Sequence, residues 1–531
     1  MSKPKWLRDA VFYEIYPQSF RDSNGDGIGD IQGIIQKLDY VKSLGCNAIW
    51  LNPWYESPFL DAGYDITDFY KIAPRYGTNE DAKMLFEEAH RKNIRIVIDL
   101  VVGHTSRECE WFKRSQEEER NEFTDRYIWC PYLAWRGDPE ENVNEDYYIS
   151  GYSSRGAYKV NFFYNQPALN FGFGKTKHPW EMAVDSEAAL ATKEEVKKIL
   201  RFWLDMGCDG FRVDCAPTIV KRDKDRKETC RIWREIRKMM EEEYPGSVLI
   251  SEWGVPSEAI KRGAFDVDLA IGDSYFYISR QGYYWTDPQK VYRNIVFDEK
   301  GQGDISYFMS EYLSDLEKIG NRGYMGMFTG NHDCRRLKYN MSDREIAVYF
   351  AFLMTLPCVP FVYYGDEIGM KYLDVPSKEG GDIRTGARTP MQWTLDKNRG
   401  FSQGNKEDLY LPVDESEDAP TAEIQEYNRN SLLNTVRDII NMRRMYFNAD
   451  GELNLIYVKK NKYPFVYERI VGRKRYLVFL NPKGEDTELK IDYKSEMIKP
   501  LFEKNIKTKS EGKSIEFKSG PCGIGVYEIR R

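Results

Sequence analysis

The chain has 531 residues, 41% hydrophobic and 30% charged, enough for a large core and for two or three domains or one large barrel with additions. Its 77 basic and 84 acidic side chains leave a formal charge of −7, which argues against nucleic acid or an anionic membrane as the main partner. Residues 1–6 run into an apolar strand without a core of signal-peptide length, and no run of about 18 apolar residues occurs, so a cytoplasmic protein is expected.

In chain order, Ala10–Tyr16 reads as a buried strand, followed by a Gly/Asp-rich turn, a helix through Ile34, Leu38 and Val41, and a strand Ala48–Leu51. A helix over Asn79–Lys92 leads to Ile94–Leu100, too continuously apolar for a surface strand. From residue 105 to 177 the rhythm breaks into a turn-rich, aromatic insertion. It then resumes with strands at Phe211–Asp214, Val248–Ser251, Val267–Ile271, Met325–Phe328 and Val359–Tyr364. Eight strands alternating with helices predict a (β/α)8 barrel over 1–104 and 178–447, with a second insertion at about 371–428. Short strands after residue 448 predict a C-terminal β-sandwich. Nine cysteines scattered from Cys46 to Cys522 without a CxxC pair predict free thiols, not disulfides or a zinc site. The basic run Lys221–Lys227 lacks interleaved aromatics and reads as a solvated loop.

The ends of barrel strands carry function in this architecture. Here they hold His104, Asp214, Glu252 and the pair His332-Asp333. Arg212 and Asp214 are two apart, so on a strand they share a face, and the guanidinium is expected to keep Asp214 ionised. Taken alone, that pair is equally readable as a structural ion pair. Glu252, between Leu249-Ile250 and Trp253, has apolar company that raises a carboxyl pKa. One ionised and one protonated carboxyl, with a third to grip hydroxyls, suit retaining cleavage of a glycosidic bond.

These motifs resemble the conserved regions of glycoside hydrolase family 13, the α-amylase family: Asp99–His104, Gly210–Asp214, Ile250–Trp253 and Phe328–Asp333, in that order. The resemblance implies Asp214 as nucleophile, Glu252 as acid/base, Asp333 as transition-state stabiliser, and His104, Arg212 and His332 as sugar ligands. Gly63–Ile66 and Gly386–Trp393 are similar to the oligosaccharide α-glucosidase subgroup, where Tyr64 would stack on the terminal sugar while Asp65 and Arg388 clamp its far hydroxyls, giving an exo-acting enzyme. Asp22–Asp30 also resembles that subgroup. Its Asp22, Asn24, Asp26 and Asp30 side chains and the Ile28 carbonyl could hold a structural Ca2+ or Mg2+. Gly103 stands where the family often has Asn, and Cys215 is neither of the usual residues after the nucleophile, which leaves the linkage open. The stretch Arg388–Ser402 also resembles trehalose synthases, so a maltose isomerase or transglucosylase is the alternative. A non-catalytic binding or partner scaffold is the remote one.

Overall fold

The computed structural model describes residues 3–132, 147–150, 153–272, 296–300, 303–379 and 383–530. Residues 133–146 and 151–152 of the first insertion and 380–382 of the second lie outside the described residues.

Eight parallel strands close into a barrel. They are β1 (Phe12–Ile15), β2 (Ala48–Leu51), β3 (Arg95–Leu100), β4 (Gly210–Val213), β5 (Val248–Ser251), β6 (Val267–Leu269), β7 (Tyr324–Phe328) and β8 (Val359–Tyr363). Neighbours in sequence are neighbours in the barrel, and β1 pairs with β8 to close it. The helices that follow them are α1 (Leu38–Leu44), α2 (Asn79–Arg91), α3 (Glu187–Met206), α4 (Lys227–Glu243), α5 (Pro256–Ala259), α6 (Ile305–Ile319), α7 (Asp343–Thr355) and α8 (Leu432–Tyr446).

The strands are apolar on both faces because each face meets packed neighbours. Phe12, Trp50, Val97, Ile250 and Phe361 pack together as one inner cluster, with Phe12 stacked on Phe361 at 4.5 Å between ring centroids. Their sequence neighbours Tyr13, Ile49, Ile98, Leu249 and Val362 belong to the larger cluster shared with the helices. Side chains therefore alternate inward and outward with period two. Helix starts are capped as their sequences suggest: Thr78 and Asp81 form a reciprocal box on α2, and Ser342 and Glu345 do so on α7. Strand β4 opens on Gly210 because a Cβ there would lie 2.2 Å from the Val248 carbonyl oxygen, and its φ is 147°.

The described part of the first insertion carries a small antiparallel sheet, with Ala157–Lys159 between Trp129–Cys130 and Tyr148–Ile149. The C-terminal region forms one antiparallel sheet: β9 (Glu452–Lys459), β10 (Lys462–Val471), β11 (Lys474–Leu480), β12 (Thr487–Asp492), β13 (Met497–Glu511) and β14 (Ser514–Arg530). Continuous hydrogen bonding makes it a single sheet, curled so that Val466 and Phe479 pack with Ile491, Phe517 and Tyr527 on its inner face. Its other face is tied to the barrel. Arg469 of β10, fully buried, donates to the carbonyl oxygens of Thr355 at the end of α7 and of Asp450 (2.7 Å), while Arg443 of α8 donates to those of Met354 (2.7 Å) and Cys358. Two guanidinium groups thus meet the negative end of one helix. All nine cysteines are free.

Candidate active site

Asp99 and Arg212 are paired in register on β3 and β4, both directed into the barrel in phase with Val97. Arg212 Nη1 donates to Asp99 Oδ1 at 2.7 Å and to Asp214 Oδ1 at 3.0 Å, and Nη2 lies 3.0 Å from Glu252 Oε2. The guanidinium is shared by three carboxylates, which changes the expectation that Arg212 keeps Asp214 ionised by itself. Burial, reinforced by the Glu252 carboxylate, pushes Asp214 well above the ordinary carboxyl range, and Arg212 offsets this only in part. Glu252 is thus a like charge to Asp214, and neutralising it removes one of the causes that oppose ionisation of Asp214. Oxygens of both, and Cys215 Sγ, lie within 4.8 Å of one another.

Glu252 Oε2 also accepts a hydrogen bond from the backbone N–H of Cys215 at 3.0 Å. Cys215 makes it from a left-handed conformation, φ 45° and ψ 41°. A non-glycine residue held there stores strain of about 1–3 kcal/mol, and such strain clusters at functional sites.

Asp333 sits across the cleft. Its Oδ1 accepts from Arg384 Nη1 at 2.6 Å and from Arg388 Nη2 at 2.9 Å, and its Oδ2 lies 3.2 Å from His332 Nε2. Burial alone would raise this carboxyl, but His332, Arg384 and Arg388 outweigh it and hold Asp333 well below the ordinary value. His332 is likewise disfavoured as a cation by burial, yet the Asp333 and Glu14 carboxylates raise it to about 9. Glu14 Oε1 is 2.9 Å from its Nδ1. The imidazolium donates from Nε2 to the Tyr64 hydroxyl (2.7 Å), which donates onward to Asp99 Oδ2 (3.1 Å). Tyr64 stacks on His332 with ring centroids 5.3 Å apart.

His104 is neutral, lowered to about 4 by burial. It donates from Nε2 to the Tyr64 carbonyl (2.9 Å) and accepts at Nδ1 from the Asn161 amide (3.2 Å). Asn161 in turn accepts from Lys221 at 2.8 Å. A Cβ on Gly103 would lie 2.8 Å from the same Asn161 amide nitrogen, so that amide fills the space a side chain there would need. Lys221 is buried and also donates to the Thr218 carbonyl, so the basic run begins inside the protein instead of in solvent.

Asp61, Tyr64, His104, Asp214, Glu252, Asp333 and Arg384 line one cleft. Two expectations change. Asp65 does not face the cleft: fully buried, it accepts from Ser57 Oγ and from the N–H groups of Leu60 and Asp61, each at 3.0 Å. Left-handed turns at Phe59, Ala62 and Gly63 direct these N–H groups back onto it and send Asp61 inward instead. Asp61 pairs with Arg384 at 3.0 Å and accepts from Gln166 of the insertion at 2.7 Å. Arg388, the expected partner of Asp65, lies behind Asp333, bound to Glu379 (2.9 Å) and to the His332 carbonyl (2.8 Å). Asp61, Arg384 and Asp99 were missing from the sequence-derived site. Asp99 is legible as the inward, next-to-last residue of β3, whereas Asp61 lies in a loop and Arg384 in a short 3-10 turn, Ile383–Ala387, of the second insertion.

In the loop 22–30, Asp22 accepts from the N–H groups of Asn24 (3.1 Å), Gly25 (2.6 Å) and Gly27 (2.8 Å). Asp26 accepts from that of Ile28 (2.9 Å), and Asp30 from those of Ser23 (2.9 Å) and Gly33 (2.6 Å). As arranged, the loop's carboxylates accept from N–H groups of its own turns; among the described residues the one group of three His, Cys, Asp or Glu ligand atoms within 4.8 Å of one another is Asp214, Cys215 and Glu252.

Residues 14–450 match the alpha-amylase catalytic-domain family. The chain is similar to the trehalose synthase/amylase TreS of Mycolicibacterium smegmatis, 33% identical over 82% of this chain and 76% of the relative. It is 29% identical to the oligo-1,6-glucosidase of Parageobacillus thermoglucosidasius over 99% of both chains. The isomaltulose synthase structure from Erwinia rhapontici covers all of both chains with a TM-score of 0.80 at 26% identity.

Proposed function

The chain belongs to the alpha-amylase family of glycosidases, and from that premise we propose that it is a retaining, exo-acting α-glucosidase of short α-linked gluco-oligosaccharides. The observation that carries this reading is the approach of Asp214 and Glu252 oxygens to within 4.8 Å. Retaining glycosidases keep their two carboxyl groups ~5–5.5 Å apart, whereas inverting ones need ~6.5–9.5 Å for a water between them.

Asp214 attacks the anomeric carbon and forms a glucosyl ester as the glycosidic oxygen departs. Glu252 supplies the proton to that oxygen. Its Oε2 is taken by Arg212 and the Cys215 N–H, which fixes Oε2 as the carbonyl oxygen and leaves Oε1 as the proton donor. Glu252 then removes a proton from the water that hydrolyses the ester. Asp333, kept anionic by its cationic neighbours, takes hydroxyls of the distorted ring and stabilises the positive charge developing beside it. Tyr64 and His332 form a stacked wall for the sugar face. Arg384 joins Asp61 to Asp333 across one wall of the cleft, and this supports release of single glucose units. Maltose and isomaltose turnover followed by proton NMR tests the reading. α-Glucose as the first product supports it; β-glucose, or maltose as the first product from longer chains, overturns it.

The 33% identity to a trehalose synthase/amylase favours a second reading, in which the released glucose stays and is re-glucosylated. Trehalose accumulating from maltose in excess of free glucose would establish it.

A structural Ca2+ or Mg2+ on Asp22, Asn24, Asp26, Asp30 and the Ile28 carbonyl is a separate proposal, tested by a fall in Tm on chelation that returns with added metal. Cytoplasmic residence is also proposed; among the described residues no helix is long and apolar enough to cross a membrane.

A further inference from the structure

Ser251 and Gly254, on either side of Glu252, are both bound to one carboxyl behind the barrel wall, that of Asp268 on β6. Val267 and Leu269 belong to the inner cluster, so Asp268 between them points outward, where it is fully buried. Strand register places it opposite Ser251. Its Oδ1 lies 2.6 Å from Ser251 Oγ and accepts from the Gly254 N–H at 3.4 Å. Gly254 turns with φ 77°, and a Cβ there would meet Ile271 at 2.8 Å, so the turn after Glu252 is pressed against the end of β6.

The Ser251 hydroxyl has two acceptors and one proton. Its Oγ is also 3.3 Å from the Val267 carbonyl oxygen. With a proton on Oδ1, Asp268 donates to Ser251, Ser251 donates on to Val267, and both acceptors are served. Oδ2 leads to the same state. It is buried with no partner, which costs far less for the carbonyl oxygen of a neutral acid than for a carboxylate. The neighbouring elements favour the neutral form as well. On α6, Asp315 is a like charge whose own partner is Lys318 (3.2 Å). On α5, Glu258 is bound to Trp253 Nε1 (3.2 Å) and Arg262 (3.4 Å), and β7 sets Met325 opposite Asp268. Burial pushes the Asp268 carboxyl up to about 8.

We propose that Asp268 is a neutral carboxylic acid near neutral pH and the positioning residue of Glu252, holding Ser251 before it and the turn after it. This rests on the assignment of Glu252 as the acid/base. When Asp268 loses its proton to solvent, Ser251 has to turn from Val267 to the new charge, and the orphaned Oδ2 draws in water or the N–H groups of the turn. Glu252 moves with them.

The test uses the full chain as wild type, Asp268→Asn and Asp268→Leu. Asn is uncharged at every pH and bonds Ser251 in either amide orientation, whereas Leu cannot. A carboxyl whose pKa in the fold exceeds the unfolded value near 3.9 costs stability as pH rises between the two values, and no more above the higher one. The Tm of Asp268→Asn should therefore gain on wild type by ~2–4 °C between pH 5 and 8. A difference that stays constant with pH means an ionised Asp268 and overturns the proposal. For positioning, kcat with maltose is followed from pH 6.5 to 8.5. Wild type should lose about fourfold more than Asp268→Asn over that range, and Asp268→Leu should be slower than both at pH 6.5 while folded by circular dichroism. Equal alkaline losses in wild type and Asp268→Asn, or equal kcat in the two variants, overturn the positioning role. Absence of glucose release by wild type counts against the α-glucosidase reading instead, and the melts still decide the state of Asp268.

Discussion

The backbone N–H of Cys215 reaches Glu252 Oε2 at 3.0 Å only because Cys215 adopts a left-handed conformation directly after Asp214. One strained residue thereby sets the distance between the two carboxyl groups, since Asp214 directly follows strand β4 and Glu252 directly follows β5. Cys215→Gly keeps the N–H and adopts φ near 45° without a Cβ clash, so kcat should stay within about threefold of wild type. Cys215→Pro removes the donor and fixes φ near −65°; the expected loss in kcat is ~10²-fold or more, with circular dichroism to verify folding.

Glu252→Gln removes the transferable proton and leaves the Arg212 and Cys215 contacts at Oε2 available. Turnover of maltose should fall by ~10²–10⁴. An aryl α-glucoside whose leaving group departs without protonation should lose far less in the first step. Pre-steady-state release of the aryl group separates the two, and an equal loss on both substrates would remove Glu252 from the acid role.

His332 gives the alkaline limit. Its pKa in the fold, about 9, lies above the unfolded value near 6.5. The stability it contributes is therefore complete below about pH 6.5 and is lost as pH rises through about 9. The gap corresponds to ~3 kcal/mol at most, shared with Asp333 and counted once. Tm measured from pH 6 to 10 should decline over the upper part of that range, and His332→Gln should flatten the decline while lowering the starting value.

Asp61 and Asp65 should separate cleanly. Asp65→Ala leaves the buried N–H groups of Leu60 and Asp61 unpaired, at ~1–3 kcal/mol each, so Tm falls. Asp61→Ala removes a cleft carboxylate and should raise KM or lower kcat for maltose with a smaller change in Tm. Thermal melts and kinetics on the two variants check the assignment.

The barrel was legible because its strands are short, unbroken apolar runs bounded by turns, and buried parallel strands have no other pattern. The residues at their ends followed from the architecture, so Asp214, Glu252, His104 and Asp333 could be found in order. The far wall of the cleft could not. Asp61 and Asp65 lie four apart in a loop where no periodicity says which one points inward, and the deciding left-handed residues include Phe59 and Ala62, types that give no such sign in sequence. Arg384 and Arg388 pose the same problem in the second insertion. The sharing of Arg212 among Asp99, Asp214 and Glu252 was hidden for another reason: it depends on strand register, which brings Asp99 and Ile250 to either side of Arg212.

Arg469 makes the C-terminal sheet more than an appendage. It belongs to β10, yet its guanidinium saturates carbonyl groups at the end of α7 and just before β9. The Thr355 oxygen is buried where water does not replace the donor. A chain ended after α8 would thus lose a structural part of its own barrel, and would be recovered as aggregate and not as a smaller working enzyme.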